Sequence, residues 1–194
     1  MNTKILLAAL LSSSLVAVNV TACTHTQTEG AGIGATAGGF RLGLFDKTPE
    51  LKEGDAAPDF ALKADDGRTV KLADYKNRTI VMYFYPKDET PGCTKEACAF
   101  RDSFAEYKKA GIEVLGVSVD SVESHQAFKK NQRLTFTLLS DESKEASKAY
   151  GVLSSAGYSK RVTFIIKDGV IKKIYPQVSP AEHAAEVLAD ARAL

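Results

Sequence analysis

Cys93 and Cys98 stand five residues apart within YFYPKDETPGCTKEACAFRD, Tyr83 to Asp102, the stretch richest in residues able to do chemistry. Thr90, Pro91 and Gly92 precede Cys93. That order predicts a helix with Thr90 as N-cap and Pro91 at the first helical position, where a missing N–H costs nothing. Cys93 then falls in the first turn, where unsatisfied backbone N–H groups and the positive end of the helix favour an anion. The thiolate is the nucleophilic form of cysteine, so the placement points to sulfur chemistry.

The spacing narrows that chemistry. Cys93, Ala97, Phe100, Phe104 and Tyr107 follow the three-and-four rhythm of a buried helical stripe. Cys98 is turned about 140° from Cys93, onto the flank of Arg101, Asp102 and Ala105, and in an intact helix the two Cα atoms are roughly 8.7 Å apart. A disulfide needs less than about 7 Å, so the pair can bond only if the helix between them unwinds. A metal site wants several converging ligands, and the chain has no further Cys or suitably spaced His; neither metal nor other cofactor is expected. Disulfide exchangers of the thioredoxin type use Cys-x-x-Cys, which is absent. Four intervening residues suit a thiolate that an electrophilic oxidant converts to sulfenic acid, then captured by Cys98 after local unfolding. That is peroxide reduction. The alternative for Cys98 is a small, half-buried side chain without redox role.

Several elements must position this stretch. TIVMYFY, Thr79 to Tyr85, is apolar on both faces, as in a strand covered from both sides, and breaks at Pro86. The helix is expected from Thr90 to Ala110, stopping at Gly111. Upstream, AAPDFAL and TVKL flank Asp65-Asp66-Gly67 and predict a hairpin. Downstream, IEVLGVSVD, Ile112 to Asp120, reads as a second buried strand; SVESHQAFKKNQ as a helix; FTLLSD as a short strand; ESKEASKAYG as a helix closed by Gly151. VTFIIK and VIKKIY, Val162 to Tyr175, form a hairpin on Asp-Gly, and Ser179 with Glu182 has the capping-box pattern of a last helix beginning at Ala181. Strands alternating with helices imply an α/β architecture with a mixed central sheet flanked by helices. His125 and His183 are expected on exposed helical positions.

PKDETPGCTKEAC resembles the peroxidatic motif of peroxiredoxins, P-x-x-x-T/S-x-x-C, with Pro86, Thr90 and Cys93 in register. The Cys-x4-Cys pair resembles the Q-type, or bacterioferritin comigratory protein, group, and KRVTFIIKDG looks like the family's Arg-x-Thr-Phe strand. The resemblance runs from about Leu51 to the C-terminus. It implies a thioredoxin-like fold and a thiol peroxidase acting on hydrogen peroxide and organic hydroperoxides, usually monomeric, with a Cys93–Cys98 disulfide re-reduced by a thioredoxin-like donor. Under it, Arg161 stabilises the thiolate and departing oxygen, Thr90 orients sulfur or peroxide, Pro86 shields the thiolate, and Glu96 is placed to orient Arg161. The plain alternatives are a helix cap for Thr90, a surface strand residue for Arg161 and a solvated carboxylate for Glu96.

The chain of 194 residues allows one domain with a core plus an appendage. With 25 basic against 24 acidic residues, nucleic acid is not an expected partner. Residues 1–22 read as a signal peptide: a start with Lys4, an apolar run from Ile5 to Val18, and Val20-Thr21-Ala22 before Cys23. VTAC resembles a bacterial lipoprotein signal, which implies an acylated Cys23 holding the protein to a membrane surface in the cell envelope, on the periplasmic side. Residues 23–50, small and Gly-rich, read as a flexible tether, with no role for His25; Gly30, Gly34 and Gly38 recur as in packed membrane helices, but the run is too short to span. Residues 51–194 form the domain. The Q-type group is generally cytosolic, so an exported member needs a donor outside the cytoplasm, such as a periplasmic thioredoxin-like protein. Two other readings are an envelope thiol-disulfide oxidoreductase and a non-catalytic binding module on the same scaffold. The first is weakened by the lack of any proline between Pro91 and Pro176, where such exchangers carry a cis-proline.

Overall fold

The computed structural model describes residues 49–194. The expected signal peptide, Cys23, His25 and all but the end of the tether lie outside the described residues.

The described chain gives β1 (Ala61–Ala64), β2 (Thr69–Lys71), β3 (Thr79–Phe84), α1 (Pro91–Lys109), β4 (Ile112–Ser118), α2 (Val122–Gln132), β5 (Thr137–Ser140), α3 (Glu145–Ala149), β6 (Val162–Lys167), β7 (Val170–Tyr175) and α4 (His183–Arg192). The strands form one mixed sheet in the order β2-β1-β5-β4-β3-β6-β7. β3 pairs in parallel with β4, the pairing that needs a crossover, and α1 is that crossover. β6 pairs antiparallel with β3 on its other side. Its hairpin with β7 turns on Asp168 and Gly169, both at positive φ (55° and 73°), as a two-residue primed turn requires.

Because successive strand side chains point to opposite faces, β3 serves two cores. Val81 and Tyr83, with Tyr85 just beyond, face a cluster built with Phe100 and Tyr107 of α1, Phe128 of α2 and Val187 of α4. Ile80, Met82 and Phe84 face the other cluster, with Phe60, Ala146, Tyr150 and Phe164. The apolar run predicted as a doubly covered strand is buried along both faces.

Three expectations need correction. The last helix begins at His183, not Ala181: Ser179 Oγ donates to Glu182 Oε2, but the chain between them forms a turn, and Glu182 becomes the N-cap. The third helix is only five residues long, because Asp141 takes the N–H groups of Ala146 and Ser147 and starts it late. His125 and His183 are buried rather than solvated. Each lies on the side of its helix that meets the sheet, where a polar partner awaits it, Asp88 and Thr163 respectively.

Candidate active site

The register of β3 with β6 assembles the site. Val162 lies opposite Phe84, so Arg161, one residue earlier, stands beside the point where the chain leaves the sheet toward α1. α1 opens at Pro91 with Thr90 as N-cap in extended conformation (φ −75°, ψ 147°), and Cys93 lies in its first turn, 1% exposed. Arg161 Nη2 donates to Cys93 Sγ at 3.2 Å. Its Nη1 donates to Glu96 Oε2. A Cβ on residue 92 would fall 3.2 Å from Arg161 Nη2, so glycine there leaves the guanidinium its place.

One guanidinium is thus divided between the Cys93 sulfur and the Glu96 carboxyl. Glu96 is fully buried, and its Oε1 has no hydrogen-bond partner. Burial pushes its carboxyl up to about 7, against the charge and hydrogen bond of Arg161. Tyr83 lies behind the site with its hydroxyl also unpartnered; burial, with Glu96 next, raises it well above the usual tyrosine range. The guanidinium and the helix N-terminus both favour negative charge on sulfur. Positive groups already aimed at that point also stabilise charge developing on an oxygen bound there.

Thr90 sits at the expected position but does not cap with its side chain; its hydroxyl donates to the Lys87 carbonyl at 3.0 Å. Pro86 is half-buried where β3 ends. Cys98 is half-exposed on the opposite flank of α1, lining a depression of about 410 Å³ with Lys95, Asp102 and Ala184. The helix is unbroken across both free cysteines, so joining them requires it to unwind. Cys93, Glu96 and Arg161 are therefore brought together, while the Thr90 hydroxyl is turned to Lys87 and Cys98 is held apart.

Glu96 is the residue that sequence reading left undecided. Its spacing from Cys93, one helical turn, was the signal: three residues on, a side chain shares the cysteine's face. Among the described residues no cluster of His, Cys, Asp and Glu fits a metal ion, and no helix is long and apolar enough to cross a membrane.

The model of the AhpC/TSA family matches residues 53–174. Peroxiredoxin Q, chloroplastic, of Triticum aestivum is 50% identical over 143 residues, covering 72% of this chain and 66% of that protein. The crystal structure of Peroxidoxin BcpB from Mycobacterium tuberculosis aligns with a TM-score of 0.70 at 33% identity, covering 75% of this chain and 99% of the other. A PrxQ mutant from Xylella fastidiosa gives 0.70 at 34%, covering 75% and 98%. With these likenesses the mixed seven-stranded sheet and its flanking helices are the thioredoxin-like α/β fold expected from the sequence.

Proposed function

The chain belongs to the AhpC/TSA family, within its peroxiredoxin Q group, and from that membership we propose that it is a thiol peroxidase reducing hydrogen peroxide and organic hydroperoxides. The contact that carries the reading is Arg161 Nη2 on Cys93 Sγ, a cation fixed on a buried sulfur at a helix N-terminus. Cys93 thiolate attacks one peroxide oxygen; the O–O bond breaks, and the other oxygen leaves as hydroxide or alkoxide and takes up a proton. Cys93 becomes a sulfenic acid. Arg161 and the N–H groups of the first turn stabilise the charge on the departing oxygen. Thr90, held by Lys87, orients the peroxide, and Pro86 screens the sulfur from bulk water. With α1 unwound, the Cys98 thiol condenses with the sulfenic acid, water leaves, and a Cys93–Cys98 disulfide forms. A thioredoxin-like dithiol returns two electrons.

The test is loss of hydrogen peroxide on mixing with reduced protein, followed by mass analysis for the intrachain bond. Cys93→Ser should abolish consumption; Cys98→Ser should permit one oxidation of Cys93 and stop turnover with a dithiol donor. Unchanged turnover in Cys98→Ser removes that residue from the cycle, and consumption by Cys93→Ser overturns the assignment.

Anchoring in the bacterial envelope, through an acylated Cys23 and facing the periplasm, belongs to the same reading and rests on VTAC and the apolar run before it. Cys23→Ser should then release the protein into the soluble fraction; persistent membrane association counts against the acyl anchor.

A further inference from the structure

The loop upstream of Cys93 is fastened at two points to α2. Asp88 is 4% exposed. Its Oδ1 accepts from the Tyr85 hydroxyl at 2.7 Å, and its Oδ2 from Ser124 Oγ at 2.7 Å and from His125 Nδ1 at 2.9 Å. His125 is fully buried, with Nε2 3.2 Å from the Leu139 carbonyl and Nδ1 3.4 Å from the Tyr85 hydroxyl. A carboxylate only accepts, so His125 Nδ1 donates to Asp88, and Nε2 faces the Leu139 carbonyl. Burial pulls the Asp88 carboxyl up, but the hydrogen bond and charge of His125, with the Ser124 and Tyr85 hydroxyls, bring it below the usual range. The Asp88 N–H donates to Asp120 Oδ2 at 2.9 Å. One residue on, Glu89 holds φ +58°, and its carboxylate accepts from Asn131 Nδ2 at 2.8 Å and Gln132 Nε2 at 3.0 Å. Asp88 therefore grips the first turn of α2 and Glu89 its last.

We propose that Asp88, His125 and Glu89 form a latch tying the catalytic loop to α2, and that this latch sets the equilibrium between the helical dithiol and the unwound disulfide. They are positioning residues; none hydrogen-bonds Cys93 or Arg161. Bringing the two sulfurs together changes φ and ψ across the first turns of α1, and that change swings the preceding loop. Swinging it parts Asp88 from His125 and Ser124, and leaving a buried carboxyl without its hydrogen-bond partners is unfavourable. Glu89 adds to the effect, because a non-glycine residue in the left-handed region keeps that conformation only while its neighbours hold it. The use of the latch in turnover rests on the proposed peroxidase cycle, but the equilibrium itself can be read without peroxide.

The experiment equilibrates the full chain, carrying Cys23→Ser so that only two thiols titrate, with oxidised and reduced dithiothreitol. Two protein thiols give up two electrons and two protons; the oxidised dithiothreitol disulfide becomes a dithiol. Acid quenching, alkylation and mass analysis count each form. Asp88→Asn and His125→Gln should shift the equilibrium toward the disulfide by about tenfold or more, which is about 30 mV in potential for each tenfold. Glu89→Gln, altering exposed contacts, should shift it about threefold. Phe164→Leu, on the other face of the sheet and chosen to lower melting temperature comparably, should leave it in place. The latch is overturned if its variants move the equilibrium no further than Phe164→Leu does. If Asp88→Asn does not fold, Glu89→Gln decides, and an unshifted equilibrium there overturns the proposal equally. Failure of the wild type to consume peroxide strikes the proposed function alone, since this measurement contains none.

Discussion

The two faces of the sheet share β3 yet are built on different terms. On the face of Phe60, Met82, Tyr150 and Phe164, buried polar groups are matched: Tyr150 donates to the Pro58 carbonyl, Ser147 pairs with Ser159, and Asp141 takes two helix N–H groups. Among the described residues, three buried polar atoms on the face of α1, α2 and α4 lack hydrogen-bond partners: Tyr83 Oη, Glu96 Oε1 and His183 Nδ1, the last 3.7 Å from Glu186 Oε2. That face also holds the Cys93–Arg161–Glu96 cluster and the Asp88–His125 pair. Unpartnered buried polar groups and divided ion pairs cost stability, so the reactive face is kept in shape by the apolar one behind it. The lesson is a division of labour within a single strand: alternate residues of β3 support the scaffold and the chemistry.

That division can be broken most visibly from the far side. Phe164→Ala should cost about 3–5 kcal/mol of stability, as large-to-small core changes do, measured by urea unfolding. The rate of Cys93 oxidation per folded molecule should change by less than about twofold, since the sites are separate. A parallel loss of rate would show that the two faces are coupled.

On the near side the expectation reverses. Arg161→Met should slow the reaction of Cys93 with peroxide by about 10²–10³, the range for losing one preorganised charge-stabilising donor, as read by stopped-flow consumption. Stability should change less, because Glu96 can take up a proton once its cation is gone. An undiminished rate removes the arginine from the chemistry.

The subtlest effect belongs to Glu96. In the fold it keeps its proton up to about 7, whereas the unfolded chain loses it near 4.5. Between those values the folded state binds more protons, so the contribution is full below pH 4.5 and is lost as pH rises through about 7. Relative to Glu96→Gln, the wild type should therefore lose stability on the order of 3 kcal/mol across that window, followed by urea unfolding at pH 5 and pH 8. Parallel curves for the two proteins would place the titration elsewhere.

Much of this molecule is written in short stretches. The apolar run of β3, the Asp-Gly hairpin, and Thr90-Pro91 opening the helix that carries Cys93 depend on neighbours within a few residues, where backbone conformation and periodicity act. The mismatch between cysteine spacing and helix geometry is equally local, and so is the need for unwinding. The motif around Cys93 carried the family resemblance for the same reason.

What the chain order could not settle is which side chains 20 to 70 residues apart come to share a wall. His125 and His183 read as exposed because polar residues in a helical rhythm usually face water; only the packing of α2 and α4 on the sheet turned them inward toward Asp88 and Thr163. Glu96 became a buried partner of Arg161 because the β3–β6 register delivers a guanidinium to that face of α1. Local pattern chooses helix or strand, but burial and charge pairing are set by the surfaces that meet, and these meet only in the tertiary structure.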